Sequence, residues 1–404
     1  MMDEIRNQLE IRPVTVNEVG QYNDLLRYVF QVTDQELVDS GYESGEIVRA
    51  KLPVIKESDV IGWFKGDELV SSMAIYPCRV NIHGVLYDMA GLTGVGTYPE
   101  YSGHGLMHDL IKMGLNHMRA HKQWISFLYP YSIPFYRKKG WEIISDHLTF
   151  NVRDTQLPKQ EIVPGHVERS EIDDPDVFKT YDQFAHQTHG AMIRNQLNWD
   201  EYWRWENEEE RFVGIYYDAQ ERPTGYVMYW IADEVFHVKE MIYLNQEARV
   251  ALWNFISAHF SMITHVKGNI YKDEPLAFLL DDGDITETIK PYFMGRIVDV
   301  EQFLKQFPFE PGSAPIHFTI NDPLADWNNG VFGVYWDKEE KAHITRRPVG
   351  EGVACNVQTL TTMLMSYRRP SYLAQIERLV GSRSAIKLLE RIIPTETPYF
   401  SDYF

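Results

Sequence analysis

The sequence predicts a mixed α/β (α+β) protein of three consecutive units, the first two built on one plan. Three observations carry this. The chain has 404 residues, and at about 150 residues per domain that length suggests two or three domains. Short strand-like runs alternate with amphipathic helical ones from end to end. The order helix, hairpin strands, helix, strand occurs twice, which reads as a diverged internal duplication.

In the first unit, Leu9 to Val14 reads as a strand. Val16 to Val32 reads as a helix, because Val19, Tyr22, Leu25, Leu26, Val29 and Phe30 form one apolar stripe. Val60 to Lys65 and Leu69 to Ile75 are strands around a Lys65-Gly66-Asp67-Glu68 turn. Arg79 to Ile82 and Val85 to Met89 flank a His83-Gly84 turn, and Ala90 to Thr97 is a glycine-bearing strand. A helix then runs to about His121, Trp124 to Tyr129 is a strand, and Ile133 to Lys139 is a short helix stopped by Gly140. Trp141 to Val152 closes the unit as a strand pair.

Residues 153 to 170, with Pro158, Pro164 and Gly165, read as a linker. The second unit has a helix from Phe178 to Thr188, a strand from Phe212 to Asp218 and a hairpin from Thr224 to Leu244. A helix from Arg249 to Met262 and a strand from Gly268 to Tyr271 follow. Its second helix opens Asn245-Gln246-Glu247-Ala248, with no glycine. The third unit has strands at Phe293 to Val298, Ile316 to Asn321, Gly330 to Trp336 and His343 to Arg346. Its helices are Val300 to Gln306, Val357 to Met365, Ser371 to Leu379 and Ser384 to Ile393. The expected boundaries are 1–155, 156–291 and 292–404.

Composition narrows the function. Lys plus Arg number 39 against 58 Asp plus Glu, a net charge of −19, which repels phosphate backbones and anionic lipid surfaces. No nucleic acid and no membrane partner is therefore expected, and cationic substrates fit better. Cys78 and Cys355 stand far apart without zinc-ligand spacing, which fits a reducing cytoplasm. The first residues, MMDEIRNQLEIRP, lack the apolar core of a signal peptide, and no run of about 18 apolar residues exists.

The most informative stretch is Leu92 to Leu110, LTGVGTYPEYSGHGLMHDL. A strand runs through a glycine-bearing turn straight into an amphipathic helix. The free N–H groups and the dipole at that helix start bind an anion without any basic side chain. Gly103 and Gly105 let the backbone approach a pyrophosphate. The stretch is neither a Walker loop nor a GxGxxG fingerprint. Taken alone, it also fits an ordinary strand–turn–helix joint.

Val95-Gly96-Thr97-Tyr98-Pro99-Glu100-Tyr101-Ser102-Gly103-His104-Gly105-Leu106 resembles motif A of the GNAT superfamily of N-acetyltransferases. Gly105 matches its central glycine. Ser102 stands where Arg or Gln is usual, and Met107 where Gly or Ala is usual. Phe135-Tyr136-Arg137-Lys138-Lys139-Gly140-Trp141 resembles the signature that closes this domain. The whole chain is similar to the enhanced intracellular survival (Eis) family. It has an acetyltransferase unit, a diverged second copy without the loop, and a tail unit opened by Met294-Gly295-Arg296-Ile297-Val298-Asp299-Val300 that resembles a sterol carrier protein domain.

The resemblance implies two tandem GNAT-like mixed-sheet domains followed by a sterol carrier protein-like domain. It implies an acetyl-CoA-dependent N-acetyltransferase acting on primary amines of aminoglycoside-like or lysine-like substrates, assembled as a homohexamer. It assigns acetyl-CoA to Val95, Gly96 and Thr97 on the strand, to Gly103, His104, Gly105, Leu106, Met107 and His108 on the loop and helix, and to the bordering Tyr131 and Ser132. It makes Tyr136 the acid that protonates the departing thiolate, and the α-carboxylate of Phe404 the base. The hydroxyl pKa of about 10 suits an acid that stays protonated at pH 7, whereas a free carboxyl near 3.5 needs burial to serve as base. A wide acidic pocket shared by the first and third units would suit polycations.

Other candidates are weaker. His104 and His108 are four residues apart on a helix but lack a third metal ligand, so no metal is expected. Asp281-Asp282-Gly283-Asp284 lacks the later glutamate of a calcium loop. Glu206 to Arg211 reads as an exposed helix face. The rival class is a non-catalytic lipid- or small-molecule-binding protein, with Ser102 marking a decayed loop. The intact Tyr136 and Phe404 argue against decay.

Overall fold

A computed structural model describes residues 5–39, 46–203, 211–269, 274 and 276–404. The expected exposed face at Glu206 to Arg211 lies outside these residues except for Arg211, as does the end of the strand expected to reach Tyr271.

The chain first supplies β1 (Leu9–Pro13), β2 (Asp59–Lys65), β3 (Glu68–Ile82), β4 (Val85–Thr97), β5 (Ile125–Leu128) and β6 (Glu142–Ile143). Next come β7 (Asp146–Arg153), β8 (His166–Ser170), β9 (Phe212–Tyr217), β10 (Pro223–Ala232), β11 (Val235–Tyr243), β12 (His265–Asn269) and β13 (Thr286–Pro291). After β14 (Met294–Ile297) come β15 (Ile316–Asn321), β16 (Gly330–Trp336), β17 (Ala342–Thr345), β18 (Glu351–Asn356) and β19 (Val380–Gly381). The helices that matter here are α1 (Val19–Phe30), α2 (Leu106–Ala120), α3 (Ile133–Arg137), α4 (Pro175–Gln187) and α5 (Gln246–Ser257). Three sheets result, in the orders β1-β2-β3-β4-β5-β14-β6, β13-β7-β12-β11-β10-β9-β8 and β17-β16-β15-β18-β19.

The first two sheets share a plan. Antiparallel strands lead into one parallel pair joined by a crossover helix: β4–β5 through α2, and β11–β12 through α5. Each helix packs its apolar stripe on its sheet, Leu110, Ile111 and Leu115 in the first unit and Ala251, Leu252 and Ile256 in the second. An apolar stripe of helical period is what a helix needs to bury itself on a sheet face.

Several expected elements fuse or move. Leu69 to Ile75 and Arg79 to Ile82 are one strand, β3, despite Pro77. β2 ends opposite Ile75, and the Pro77 carbonyl points away from β4, toward Asn195 Nδ2 at 3.1 Å. The missing N–H of Pro77 therefore faces a gap in the pairing, between the start of β2 and the Val80–Met192 bridge. Val85 to Thr97 is likewise one strand. β8 lies inside the expected linker, and β13 and β18 were not anticipated.

The boundaries expected at 155 and 292 do not follow the sheets. β7, expected to close the first unit, pairs with β12 and β13 in the second sheet. β14, expected to open the third unit, fills the gap between β5 and β6 in the first sheet. All four of its residues are buried. Arg296 on it donates to Asp322 at 2.6 Å and to the Lys139 carbonyl at 2.5 Å, tying the first sheet to the third unit. One apolar core runs through this junction, from Val80 and Phe127 through Phe293 to Phe303 and Met363.

Candidate active site

The parallel strands β4 and β5 pair only over Met89–Gly91 and Ile125–Phe127, while β4 continues to Thr97. Beyond Gly91 the sheet splits into a V. A bulge marks the β4 arm: its register with β3 shifts between Ser72 and Ala74. Gly94 there has φ +58°, and a Cβ would stand 2.4 Å from the Tyr22 hydroxyl. Only glycine fits that position. The bulge re-aims the backbone of Val95, Gly96 and Thr97 along the open arm. Ser71 Oγ donates to the Gly96 carbonyl at 3.0 Å and lies 2.7 Å from Thr97 Oγ1, fixing the strand from its closed side.

The loop after β4 delivers α2 to the mouth of the V. Gly103 and Gly105 have φ of +81° and +78°, left-handed conformations that other residues adopt at a cost. Gly105 is the N-cap and makes no side-chain cap, so the first N–H groups of α2 have no capping side chain. His104 Nδ1 is buried without a hydrogen-bond partner among the described residues. Leu106 is buried, and its carbonyl accepts from Trp63 Nε1 at 3.0 Å. Met107 packs against the same core. His108 Nδ1 lies 2.7 Å from Lys139 Nζ, a pairing that competes with a metal role. Among the described residues no group of three His, Cys, Asp or Glu side chains is placed to hold a metal ion.

Two cations that sequence reasoning missed stand beside this helix start. Arg6 bonds Asp109 and reaches the His104 carbonyl at 3.5 Å. Lys139 is the second, with burial lowering its pKa. The only sequence signal was their charge, and nothing local linked Arg6 to a loop about a hundred residues away. An uncapped helix start, a buried unpaired ring nitrogen and two flanking cations fit a pyrophosphate.

Tyr136 sits on α3, just beyond β5, with its ring edge-on to Phe135 at 5.1 Å and near Trp141 at 6.3 Å. Burial pushes its hydroxyl pKa upward, so it stays protonated at neutral pH. Glu142 anchors α3. It accepts from Arg137 at 2.7 Å and from Arg378 of the third unit at 2.6 Å. Burial pushes this carboxyl up, but the two arginines and the Ile143 N–H outweigh it and hold it below its ordinary value. Ser132 is the N-cap of α3, and Tyr131 is 77% exposed at the rim.

Phe404 lies on the other face. Successive side chains of a strand point oppositely. Leu128 and Leu92 join Tyr136 and Leu106 in one core, while Phe127 joins Tyr76, Phe293 and Phe404 in the other. The Phe404 ring closes on the apex of the V: a Cβ on Gly91 would stand 2.9 Å from it. The segment before it is held by a buried charge cluster. Arg194 donates to Asp402 at 2.5 Å and to Glu240 at 2.7 Å, all three side chains being at most 1% exposed. Tyr181 donates to Asp402 at 3.1 Å and Tyr226 to Glu240 at 2.6 Å. The Arg194 guanidinium lies 3.7 Å from the Tyr181 ring and 4.0 Å from the Tyr202 ring. Removing one partner of such a cluster costs about 3–5 kcal/mol.

Beside this segment opens a cavity of about 560 Å³, lined by the second sheet with Ser401, Tyr403 and Tyr292. The expected acidic pocket between the first and third units is not found here. The described lining belongs to the second unit and the tail, and it holds Lys239 and Lys267 but no carboxylate. Carboxylates gather in a neighbouring cavity of about 390 Å³, where Asp146, Glu274 and Glu287 face residues 397–401. Net charge gave no information on this local distribution.

Comparison with known proteins agrees with this architecture. Residues 10–144 match an acetyltransferase (GNAT) domain, 190–297 a second acetyltransferase (GNAT) domain, and 300–401 a sterol carrier protein domain. The chain is thus an acyltransferase enzyme with tandem GNAT domains, which removes the non-catalytic alternative. A crystal structure from Enterococcus faecalis V583, described as a probable N-acyltransferase, superposes with a TM-score of 0.88 at 27% identity, covering 98% of this chain and 99% of that one. A GCN5-related N-acetyltransferase from Anabaena variabilis has a TM-score of 0.85 at 22% identity, covering 98% and 100%. Eis1 from Mycobacterium abscessus shares the fold, with a TM-score of 0.79 at 18% identity and the same coverage. No curated protein matches the chain. Two acetyltransferase (GNAT) domains followed by a sterol carrier protein domain make up the chain, a three-domain layout similar to that of the solved structures it resembles.

Proposed function

We propose that this protein transfers the acetyl group of acetyl-CoA to a primary amine, aminoglycoside-like or lysine-like, in a ternary complex. The observation that carries the reading is the V at Gly91. It has the uncapped start of α2 at its mouth, Tyr136 in the core on one face and the Phe404 ring against its apex on the other.

Bound acetyl-CoA supplies an activated acyl carbon. The α2 N–H groups, with Arg6 and Lys139 alongside, hold the pyrophosphate. The open edge of Val95, Gly96 and Thr97 pairs with the pantetheine arm, where a backbone N–H stabilises the carbonyl oxygen as it gains charge. His104, Leu106, Met107, His108, Tyr131 and Ser132 border the cofactor. The Phe404 α-carboxylate holds the incoming ammonium and takes its proton. The amine nitrogen then bonds to the acyl carbon as the carbon–sulfur bond breaks, Tyr136 gives its proton to the sulfur, and the second proton of the amine leaves through solvent, which reprotonates Tyr136. Approach from opposite faces aligns the reactants, which supplies much of the acceleration.

Two free cysteines support a cytoplasmic setting, and no described helix is long and apolar enough to cross a membrane. The family layout supports a homohexamer, which sizing chromatography checks. The central test adds one alanine after Phe404. The carboxylate is displaced by about 3.8 Å, one residue, and kcat falls by roughly 10²-fold or more. Undiminished turnover removes the carboxylate from the reaction.

A further inference from the structure

Two glycines of β4 serve different ends. Gly94 answers a demand of the backbone, as its left-handed φ shows. Gly91 answers none. Its φ lies outside the left-handed region, and it pairs regularly with Tyr76 on β3 and with Phe127 on β5. A strand gains nothing from such a glycine, because alanine loses less conformational freedom on folding. Glycine inside a strand otherwise marks the close approach of another part of the chain or of a ligand.

What approaches Gly91 is the last residue. Tyr87 and Met89 belong to the core that holds Phe404, and Ala90 and Leu92 to the core that holds Tyr136. By the two-residue period of the strand, a side chain at 91 would point to the Phe404 face. Its Cβ would meet Phe404 Cε2 at 2.9 Å, Phe404 Cζ at 3.1 Å and Cys78 Sγ at 3.2 Å. Across the sheet the row reads Tyr76, Gly91, Phe127 and Gly295, so a notch stands between two rings. The Phe404 ring occupies this notch. Its centroid lies 6.1 Å from that of Tyr76, 5.2 Å from that of Phe293 and 6.4 Å from that of Phe400. Rings therefore hem it on its other sides, and the residue is 5% exposed.

The notch lies at the last rung shared by β4 and β5, and the sheet opens just beyond it. The ring is rigid and belongs to the residue that ends the chain. Where the ring rests therefore fixes where the α-carboxylate stands relative to the opening.

We propose that Gly91 is a positioning residue: its missing side chain seats the Phe404 ring and thereby sets the reach of the terminal carboxylate at the V. This rests on the acetyl-transfer reading given above, in which that carboxylate takes a proton from the amine. Carbon atoms in ordinary contact stand about 3.5–4.0 Å apart, so a methyl group at 91 drives the ring back by roughly half an ångström or more. The terminal residue has no onward chain to hold it, so the tail yields and the sheet stays. A misplacement of about 1 Å costs a reaction centre up to about 10²-fold.

Gly91→Ala tests this in two backgrounds, the native terminus and the chain extended by one alanine after Phe404. With the native terminus, kcat is expected to fall about tenfold, while acetyl-CoA affinity by calorimetry and the thermal midpoint stay as they were. In the extended chain the carboxylate is already displaced, and the same substitution should cost nothing further, since two changes acting through one group do not add. An unchanged kcat overturns the inference, and so does an equal loss in both backgrounds. Should Gly91→Ala lower the thermal midpoint, Phe404→Ala reads the seat from the other side: it keeps the carboxylate and removes the ring. A fall in kcat of about tenfold or more then supports the seat, and undiminished kcat overturns it. If the alanine extension leaves turnover intact, or no amine is acetylated, the transfer reading fails on its own. Release of Phe404 by carboxypeptidase A then decides the seat, because trimming requires the tail to open locally. Release about tenfold faster from Gly91→Ala than from the wild type supports it, and equal rates overturn it.

Discussion

The two crossover junctions of the tandem units differ in one local feature, which on the proposed reading separates a cofactor site from a scaffold. In the second unit β11 ends at Tyr243 and α5 begins at Gln246, with Asn245 as N-cap accepting from the Ala248 N–H. Glu247 adds a negative charge to the first turn. One N–H of this helix start is capped internally, and the added charge would repel an anion. In the first unit the chain takes a longer path through two left-handed glycines and reaches α2 with no side-chain cap. The unmade cap leaves donors for a phosphate. On the proposed reading the first junction forgoes local stability for binding, and the second is the same architecture with that trade reversed.

Breaking the first unit's chemistry has the largest expected effect. Tyr136→Phe should lower kcat by roughly 10²-fold while leaving acetyl-CoA affinity, measured by calorimetry, nearly unchanged. A parallel loss of affinity would show that the hydroxyl holds the cofactor rather than protonating it. Next, Gly105→Val forces a β-branched residue to φ +78°, a strain of about 1–3 kcal/mol. It should weaken acetyl-CoA binding about tenfold or more, and unaltered binding would dissociate the loop from the cofactor.

The anchor of the Tyr136 helix responds to acid. The folded-state pKa of Glu142 lies below its ordinary value. Its contribution to stability is therefore present above about pH 4.3 and is lost as pH falls through the lowered folded value. Glu142→Gln should cost about 1–3 kcal/mol at pH 7, moderated because Arg137 and Arg378 keep solvent contact, and should flatten the acid limb of denaturation midpoints against pH. An unchanged acid limb would assign it to other carboxylates. The smallest effect belongs to the second junction. Asn245→Ala should cost about 1 kcal/mol of stability and leave acetyl-CoA affinity as it was. A fall in affinity would mean that the second unit also takes part in cofactor binding.

Legibility in the sequence followed the range of the determining contacts. The α2 loop and the α3 position of Tyr136 were readable because their signals are local: glycines at a strand–helix joint, and a helix stopped by Gly140. Helical stripes in α1, α4 and α5 were readable for the same reason. Pairing partners were not. Nothing in Met294–Ile297 says that it fits between β5 and β6, since an apolar run of four residues suits any buried strand. The Arg194, Glu240 and Asp402 cluster joins residues up to 208 positions apart.

The insertion of β14 also sets a timetable. During synthesis at about 5–20 residues per second, β5 and β6 emerge long before the strand that belongs between them. Until residue 297 has left the ribosome, the first unit waits with two unpaired edges, an aggregation-prone condition. A fragment ending near residue 150 would carry the whole α2 loop and Tyr136 yet have an unclosed sheet. The first GNAT unit, first in sequence, is thus among the last to finish folding.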